Sequence, residues 1–445
     1  MRSEISRRHV LQKSGAAASL FLLTSRSLSA TPRALVEELR TITGQPHLYH
    51  GWPTVARRSN GELLVVSSAG REEHVCPFGR VEIMRSRDEG KTWSFPRVVI
   101  DGPIDDRDAG VLETAKGSLL ITTFTSLHYE RRLKEALAAA PGSDGAWPDE
   151  KMRRWLGAHE RLQPAEREIE LGSWMIRSTD GGRSWSKAYR CPVNSPHGPI
   201  QLSDGRLLYT GKLFWYGRAE QRTGQVGACE STDDGQSWRW LSEIPTRPGD
   251  VSDEYHELHS VETIDGQIIA QIRNHNKANH YETLQTESSD GGKSWSVPHP
   301  IGVWGHPSHL LRLRDGRLLM SYGHRTEPLG NQARISEDNG RTWSQAMILS
   351  GDGTSTDLGY PSTVELGSGK FLTIWYELLN RPVSNLSRHH THRHYTHDHH
   401  EKESSLSHQT PMNILEKGCC SEAWFKMTKK QAGAVLRQAI WHLKD

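Results

Sequence analysis

Ser178-Thr-Asp-Gly-Gly-Arg-Ser-Trp185 is a self-contained turn. A carboxylate in that position accepts backbone N–H groups from its own loop, a glycine takes the positive φ the chain needs, and the tryptophan packs under the turn. The pattern Ser-x-Asp-x-Gly-x-(Ser/Thr)-Trp returns at Ser86–Trp93, Ser231–Trp238, Ser288–Trp295 and Ser336–Trp343. One copy is ordinary turn chemistry. Five copies are a repeat.

A second motif recurs in phase with the first. It is a glycine turn leading into an apolar strand: Gly61-Glu-Leu-Leu-Val-Val, Gly117-Ser-Leu-Leu-Ile-Thr, Gly205-Arg-Leu-Leu-Tyr, Gly266-Gln-Ile-Ile-Ala, Gly316-Arg-Leu-Leu-Met and Gly369-Lys-Phe-Leu-Thr. The six glycines are spaced 56, 88, 61, 50 and 53 residues apart. Each Asp-containing turn follows one of the first five strands, and none follows the sixth. Repeats of this length are the mark of stacked or radial architectures. The expectation is an all-β, six-bladed β-propeller of four-stranded blades, closed by a strand at residues 434–443. The turn aspartates (Asp88, Asp180, Asp233, Asp290 and Asp338) are read as structural.

The 445 residues form one domain on this reading, residues 31–445, with two interruptions. The long spacing holds 127–170, rich in Arg, Glu, Ala and Leu, which predicts a helical insertion. Residues 380–433 form an irregular insertion containing Arg388-His-His-Thr-His-Arg-His-Tyr-Thr-His-Asp-His-His400, whose composition predicts disorder. A formal net charge of +2 offers no general attraction for nucleic acid. The five cysteines (Cys76, Cys191, Cys229, Cys419 and Cys420) include no CxxC pair, so neither a disulfide framework nor a thiolate zinc site is expected. No cofactor and no metal are expected. Arg7-Arg8 before the short apolar run Gly15–Leu23 reads as a twin-arginine signal over residues 1–30. It predicts a periplasmic or secreted protein with no membrane span after processing.

Several segments resemble the exo-sialidase (neuraminidase) superfamily, whose repeated turns are known as Asp boxes or bacterial neuraminidase repeats. The resemblance spans roughly residues 46–379 and 434–443. It implies an exo-acting glycoside hydrolase with a Tyr–Glu nucleophile pair, an Asp acid/base and three arginines that hold the substrate carboxylate. Leu358-Gly-Tyr-Pro-Ser-Thr-Val-Glu-Leu366 matches the nucleophile segment and makes Tyr360 the nucleophile. Tyr255-His-Glu-Leu-His-Ser-Val-Glu262 makes Glu257 its partner. A phenol with a pKa of about 10 needs such a base, and a neutral nucleophile suits an anomeric carbon that bears a carboxylate. Arg273 and Arg325 match two of the carboxylate-binding arginines, whose planar fork grips a carboxylate in two places.

Two departures stand out. Gly51, in His50-Gly-Trp-Pro-Thr54, occupies the place of the first arginine, and the acid/base aspartate is not evident. Around Gly70-Arg-Glu-Glu-His74, Glu73 or His74 is available as proton donor and Arg71 as a further cation. Arg107, Asp108, His197 and His309 each precede a repeat strand and are expected to converge on one substrate-binding pocket. The implied substrate is a glycan ending in sialic acid or a related acidic sugar. A glycosidase or lyase for another sugar, and a glycan-binding propeller without catalysis, are the alternatives.

Overall fold

The computed structural model describes residues 31–213, 224–378 and 433–444. The expected signal segment and nearly all of the His-rich insertion lie outside these residues. Each repeat glycine opens the hairpin between the first and second strands of a blade. The apolar run after it is the second strand, buried on both faces between neighbouring blades. Blade one, for example, runs Tyr49–Arg57, Leu63–Arg71, Arg80–Ser86 and Arg97–Ile100, all antiparallel. Six antiparallel sheets form the ring; in blade three the inner strand is split into Val193–Asn194 and Ile200–Gln201.

The Asp-containing turn joins the third and fourth strands of blades one to five. Its hydrogen bonds repeat from copy to copy. In the first, Ser86 Oγ donates to Asp88 Oδ1 (2.8 Å), and Asp88 accepts from Thr92 N (2.9 Å) and Thr92 Oγ1 (2.6 Å). These donors hold the Asp88 carboxyl down at about 2 although it is only half-buried. The tryptophan that ends the motif reaches back to the preceding blade. Trp93 donates to Gln438 of blade six (2.8 Å), Trp295 to Ser242 of blade three (3.0 Å), and Trp343 to Gln285 of blade four (3.1 Å).

Blade six explains the missing sixth copy. Its strands in spatial order from the axis are Leu358–Gly367, Lys370–Leu378, Ala434–Lys444 and Arg33–Thr41. The outermost strand comes from the other end of the chain, so no turn joins it to the third. Ala434–Lys444 is therefore paired on both edges, with Lys370–Leu378 and with Arg33–Thr41. The pairing closes the ring and protects an edge that would otherwise be open.

The helical insertion leaves blade two between its second and third strands as α1 (Tyr129–Ala138), α2 (Asp149–His159) and α3 (Pro164–Glu170). In α1 the buried residues Tyr129, Leu133 and Ala136 share one face. Tyr129 and Leu133, with Trp155, pack on Val75 and Cys76 in the loop of blade one. No helix among the described residues is long and apolar enough to cross a membrane.

The axis is filled where the inner strands meet. The residue seven places before each repeat glycine lies there: Thr54, Gly110, Gly198, His259, His309 and Ser362. Gly110 and Gly198 touch so closely that a Cβ on Gly110 would stand 2.5 Å from the Gly198 nitrogen. His259 and His309 stack at 4.6 Å, with His197 edge-on to both. Leu310 N–H donates to His259 Nδ1 (2.9 Å), and Thr363 N–H to His309 Nδ1 (3.4 Å), so these imidazoles tie blades four, five and six as neutral acceptors. Burial pushes His309 down to about 3. A group lowered in the folded state takes up its proton preferentially in the unfolded chain. Its stabilisation is therefore complete above about pH 6.5 and is lost as pH falls toward 3. Between pH 7.5 and 5, His309 alone removes about 2 kcal/mol of stability. Urea unfolding of His309→Gln at the two pH values is expected to have a smaller pH dependence than wild type by about that amount.

Candidate functional site

Four non-glycine residues at one place in the ring have positive φ: Trp52 (52°), Asp108 (44°), Glu257 (45°) and Tyr360 (53°). Each lies where its inner strand slips register against its neighbour, between Gly51 and Thr54, Arg107 and Gly110, His256 and His259, and Gly359 and Ser362. Bulges of this kind redirect a side chain, and such conformations in non-glycine residues cost about 1–3 kcal/mol each. All four side chains turn into one pocket of about 460 Å³, counting its open mouth.

Tyr360 donates to Glu257 Oε1 at 2.5 Å. Arg273 Nη1 donates to Glu257 Oε2 (2.6 Å) and to the Tyr360 oxygen (3.0 Å). The three side chains are each less than a tenth exposed. Arg325 forms the adjacent wall, its Nε donating to Leu358 O (3.2 Å) and its guanidinium 6.0 Å from the centre of the Tyr360 ring. Arg107 lies against Trp52, 4.5 Å from the ring centre, and also lines the pocket. Thus no arginine stands at position 51, but blade two brings a third guanidinium into the same space.

Asp108 faces this group from blade two. Burial, reinforced by the charge of Glu257, pushes its carboxyl up to about 7. The arrangement is two carboxyl groups in one pocket, one hydrogen-bonded to a phenol and the other held protonated near neutrality. Such separation marks an acid and a base. His74 also lines the pocket, tied by Nδ1 to Asp357 (3.2 Å) and Tyr49 Oη (2.8 Å). Tyr49 and Tyr376 each donate to Asp357 at 2.8 Å.

Four expected site residues lie elsewhere. Glu73 turns outward to Arg132 and Lys151 of the helical insertion, each at 3.1 Å, and is not in the pocket. Arg71 is fully buried against Asp105 (2.6 Å) and does not line it. His197 and His309 belong to the plug on the axis, not to the pocket. The reason is register. Asp108 stands nine residues before its repeat glycine, whereas His197 stands eight and His309 seven before theirs. An offset of one or two residues carries a side chain roughly 3–7 Å along its strand, past the bulge that turns Asp108 into the pocket and onto the axis.

Trp52, Phe124, His128 and Tyr376 complete the wall and were not singled out from sequence. Trp52 carried a readable signal. Trp52, Asp108, Glu257 and Tyr360 stand nine residues before Gly61, Gly117, Gly266 and Gly369, and Trp52-Pro53 repeats as Tyr360-Pro361. His128, at the foot of the helical insertion, carried none. Its imidazole is pushed down to about 4 by burial and by Arg107.

The ring of blades with this pocket at its axis defines a sialidase-like β-propeller. A family profile described as "BNR repeat-like domain" matches residues 146–373, just over half of the chain. The chain belongs to that family. It is 26% identical over 200 residues to a sialidase of Micromonospora viridifaciens; the match covers 39% of this chain and 31% of that protein. The chain thus matches about a third of that relative's length. Among solved structures, a protein of unknown function from Dyadobacter fermentans has a TM-score of 0.64 at 21% identity, covering 92% of this chain and 99% of that one. A leech intramolecular trans-sialidase has a TM-score of 0.53 at 15% identity, covering 77% and 67%.

Arg71 lies against Trp52, 5.0 Å from its ring centre, and is paired with the fully buried Asp105 at 2.6 Å. Asp105→Ala leaves that guanidinium without its main counter-charge. The loss is expected to cost about 3–5 kcal/mol in urea unfolding.

Proposed function

We propose that the protein is an exo-acting, retaining glycoside hydrolase that releases a terminal acidic sugar, sialic acid or a close relative, from glycans. The observation that carries this reading is the buried Tyr360–Glu257 hydrogen bond of 2.5 Å, with Arg273 on both partners. Glu257 takes the phenol proton as the Tyr360 oxygen attacks the anomeric carbon. Asp108 gives its proton to the departing glycosidic oxygen, and the C–O bond to the leaving group breaks. In the second half, Asp108 takes a proton from water. That water displaces Tyr360, which recovers its proton from Glu257.

Charge supports an anionic sugar. With Asp108 protonated, three guanidinium groups (Arg107, Arg273 and Arg325) face one carboxylate, Glu257, among the pocket walls. The excess is positive, and guanidinium forks suit a carboxylate. The match to a named sialidase adds support at the level of family.

The test is release of free sugar from α-linked sialosides and from glycosides of other acidic sugars. Tyr360→Phe is expected to lower kcat at least roughly a thousandfold. A general acid must be protonated, so activity is expected to decline as pH rises through about 7. Asp108→Asn is expected to lose about 10²–10⁴-fold in rate and that alkaline limb with it. Release of no acidic sugar, or an activity indifferent to Tyr360→Phe, would sink the proposal. An unsaturated product absorbing in the ultraviolet would point instead to a lyase.

A further inference from the structure

The mouth end of blade four carries a second cluster, outside the pocket. Glu254 ends a short 3₁₀ turn, His256 lies on the inner strand Tyr255–Glu262, and His275 follows the neighbouring strand Ile268–Asn274. The two strands hold them together: His275 N–H donates to the Glu254 carbonyl at 2.8 Å, and Tyr255 is paired with Asn274. One carboxylate oxygen and one nitrogen from each imidazole all lie within 4.8 Å of one another. The rings meet at 4.5 Å, inclined by 45°. Among the described residues, none of these three side chains makes a hydrogen bond or an ion pair. A carboxylate and two imidazoles that converge without satisfying each other or anything else leave their lone pairs aimed at a common space.

We infer that Glu254, His256 and His275 form a site for a divalent transition-metal ion of the zinc type. Two imidazole nitrogens and one carboxylate oxygen are a donor set that such ions take, with the fourth position left to water. Ligand atoms around a tetrahedral zinc stand about 3.4 Å apart, given bonds of about 2.0–2.1 Å. The donors, all within 4.8 Å of one another, would each have to approach by at most about 1.4 Å. Two cations act on His256 electrostatically, Lys212 and Arg273. Lys212 is countered by Asp253 (3.0 Å) and Arg273 by Glu257 (2.6 Å), while Arg325 and His306 also act on His275.

The placement gives the ion a purpose. His256 is adjacent in sequence to Glu257 and is the register partner of Arg273, and His275 lies two residues beyond Arg273. An ion held by the two histidines clamps the end of the hairpin that carries the Tyr360 partners. Glu254, His256 and His275 are positioning residues in this arrangement and take no part in the bond changes.

Zinc content is the measurement, made on the full chain after exposure to zinc and gel filtration. Clustered histidines in general take up such ions, so the wild-type and variant clusters are compared with the histidines of 388–400 changed to alanine. The intact cluster is expected to retain one zinc per chain. His256→Gln with His275→Gln is expected to retain none, or to bind at least a hundredfold more weakly in competition with a chromophoric chelator. Equal zinc content in the two proteins, or none in the intact one, overturns the inference. Carbethoxylation of the unsubstituted protein, mapped by mass spectrometry, makes the test independent of how the variant folds. Zinc is expected to protect His256 and His275, and unchanged labelling of both overturns the site. Neither readout depends on glycosidase activity, so the metal site and the proposed reaction stand or fall separately.

Discussion

Everything in this molecule that faces the axis depends on one long-range pairing. Arg33–Thr41 and Ala434–Lys444 come from opposite ends of the described chain and lie side by side in blade six. A propeller has no core of its own at the centre. Its inner strands converge only because the ring is closed, and the plug of His197, His259, His309, Gly110 and Gly198 exists only at that convergence. Trp93 reinforces the seam by bonding Gln438 on the closing strand. The missing sixth Asp turn is the visible trace of the closure, since the strand it would have led into arrives from elsewhere.

The pocket follows from the same symmetry, broken locally. Four blades bend their inner strands through positive φ at one level and aim Trp52, Asp108, Glu257 and Tyr360 inward. The strain is tolerated because the surrounding sheet fixes both sides of each bulge. What differs between blades is the chemistry at the tip: an indole, two carboxyl groups and a phenol. Below this level the next axial residues are small or imidazole and serve packing. Two residues along the strand thus separate the pocket from the packed axis.

Electrostatics sorts the arginines in a similar way. Arg71 and Arg107 both lie against Trp52, yet Arg71 is sealed against Asp105 while Arg107 faces the pocket. The helical insertion has a comparable double role. It draws Glu72 and Glu73 outward through Arg154, Trp155, Lys151 and Arg132, and it brings His128 to the wall. The buried carboxyl that faces Glu257 comes not from Glu73 but one blade later, from Asp108.

Local rules made the blades legible. The turn motif and the glycine–strand motif depend on contacts within a few residues, so their number and phase in the chain were enough to specify six blades. Tyr360, Glu257, Arg273 and Arg325 were legible through flanking segments, and the structure brings all four to one pocket. The roles of Glu73, Arg71, His197 and His309 were not, because a side chain's direction depends on bulges and on ring packing that no single segment encodes. His128 and the Glu254–His256–His275 cluster lie further still from sequence reading, since each arises where separate elements meet. Sequence alone therefore determined the repeat, its count and the Tyr360–Glu257 pair that meets in the pocket. Tertiary structure decided which charges face the pocket, because that depends on how six bent inner strands share one axis.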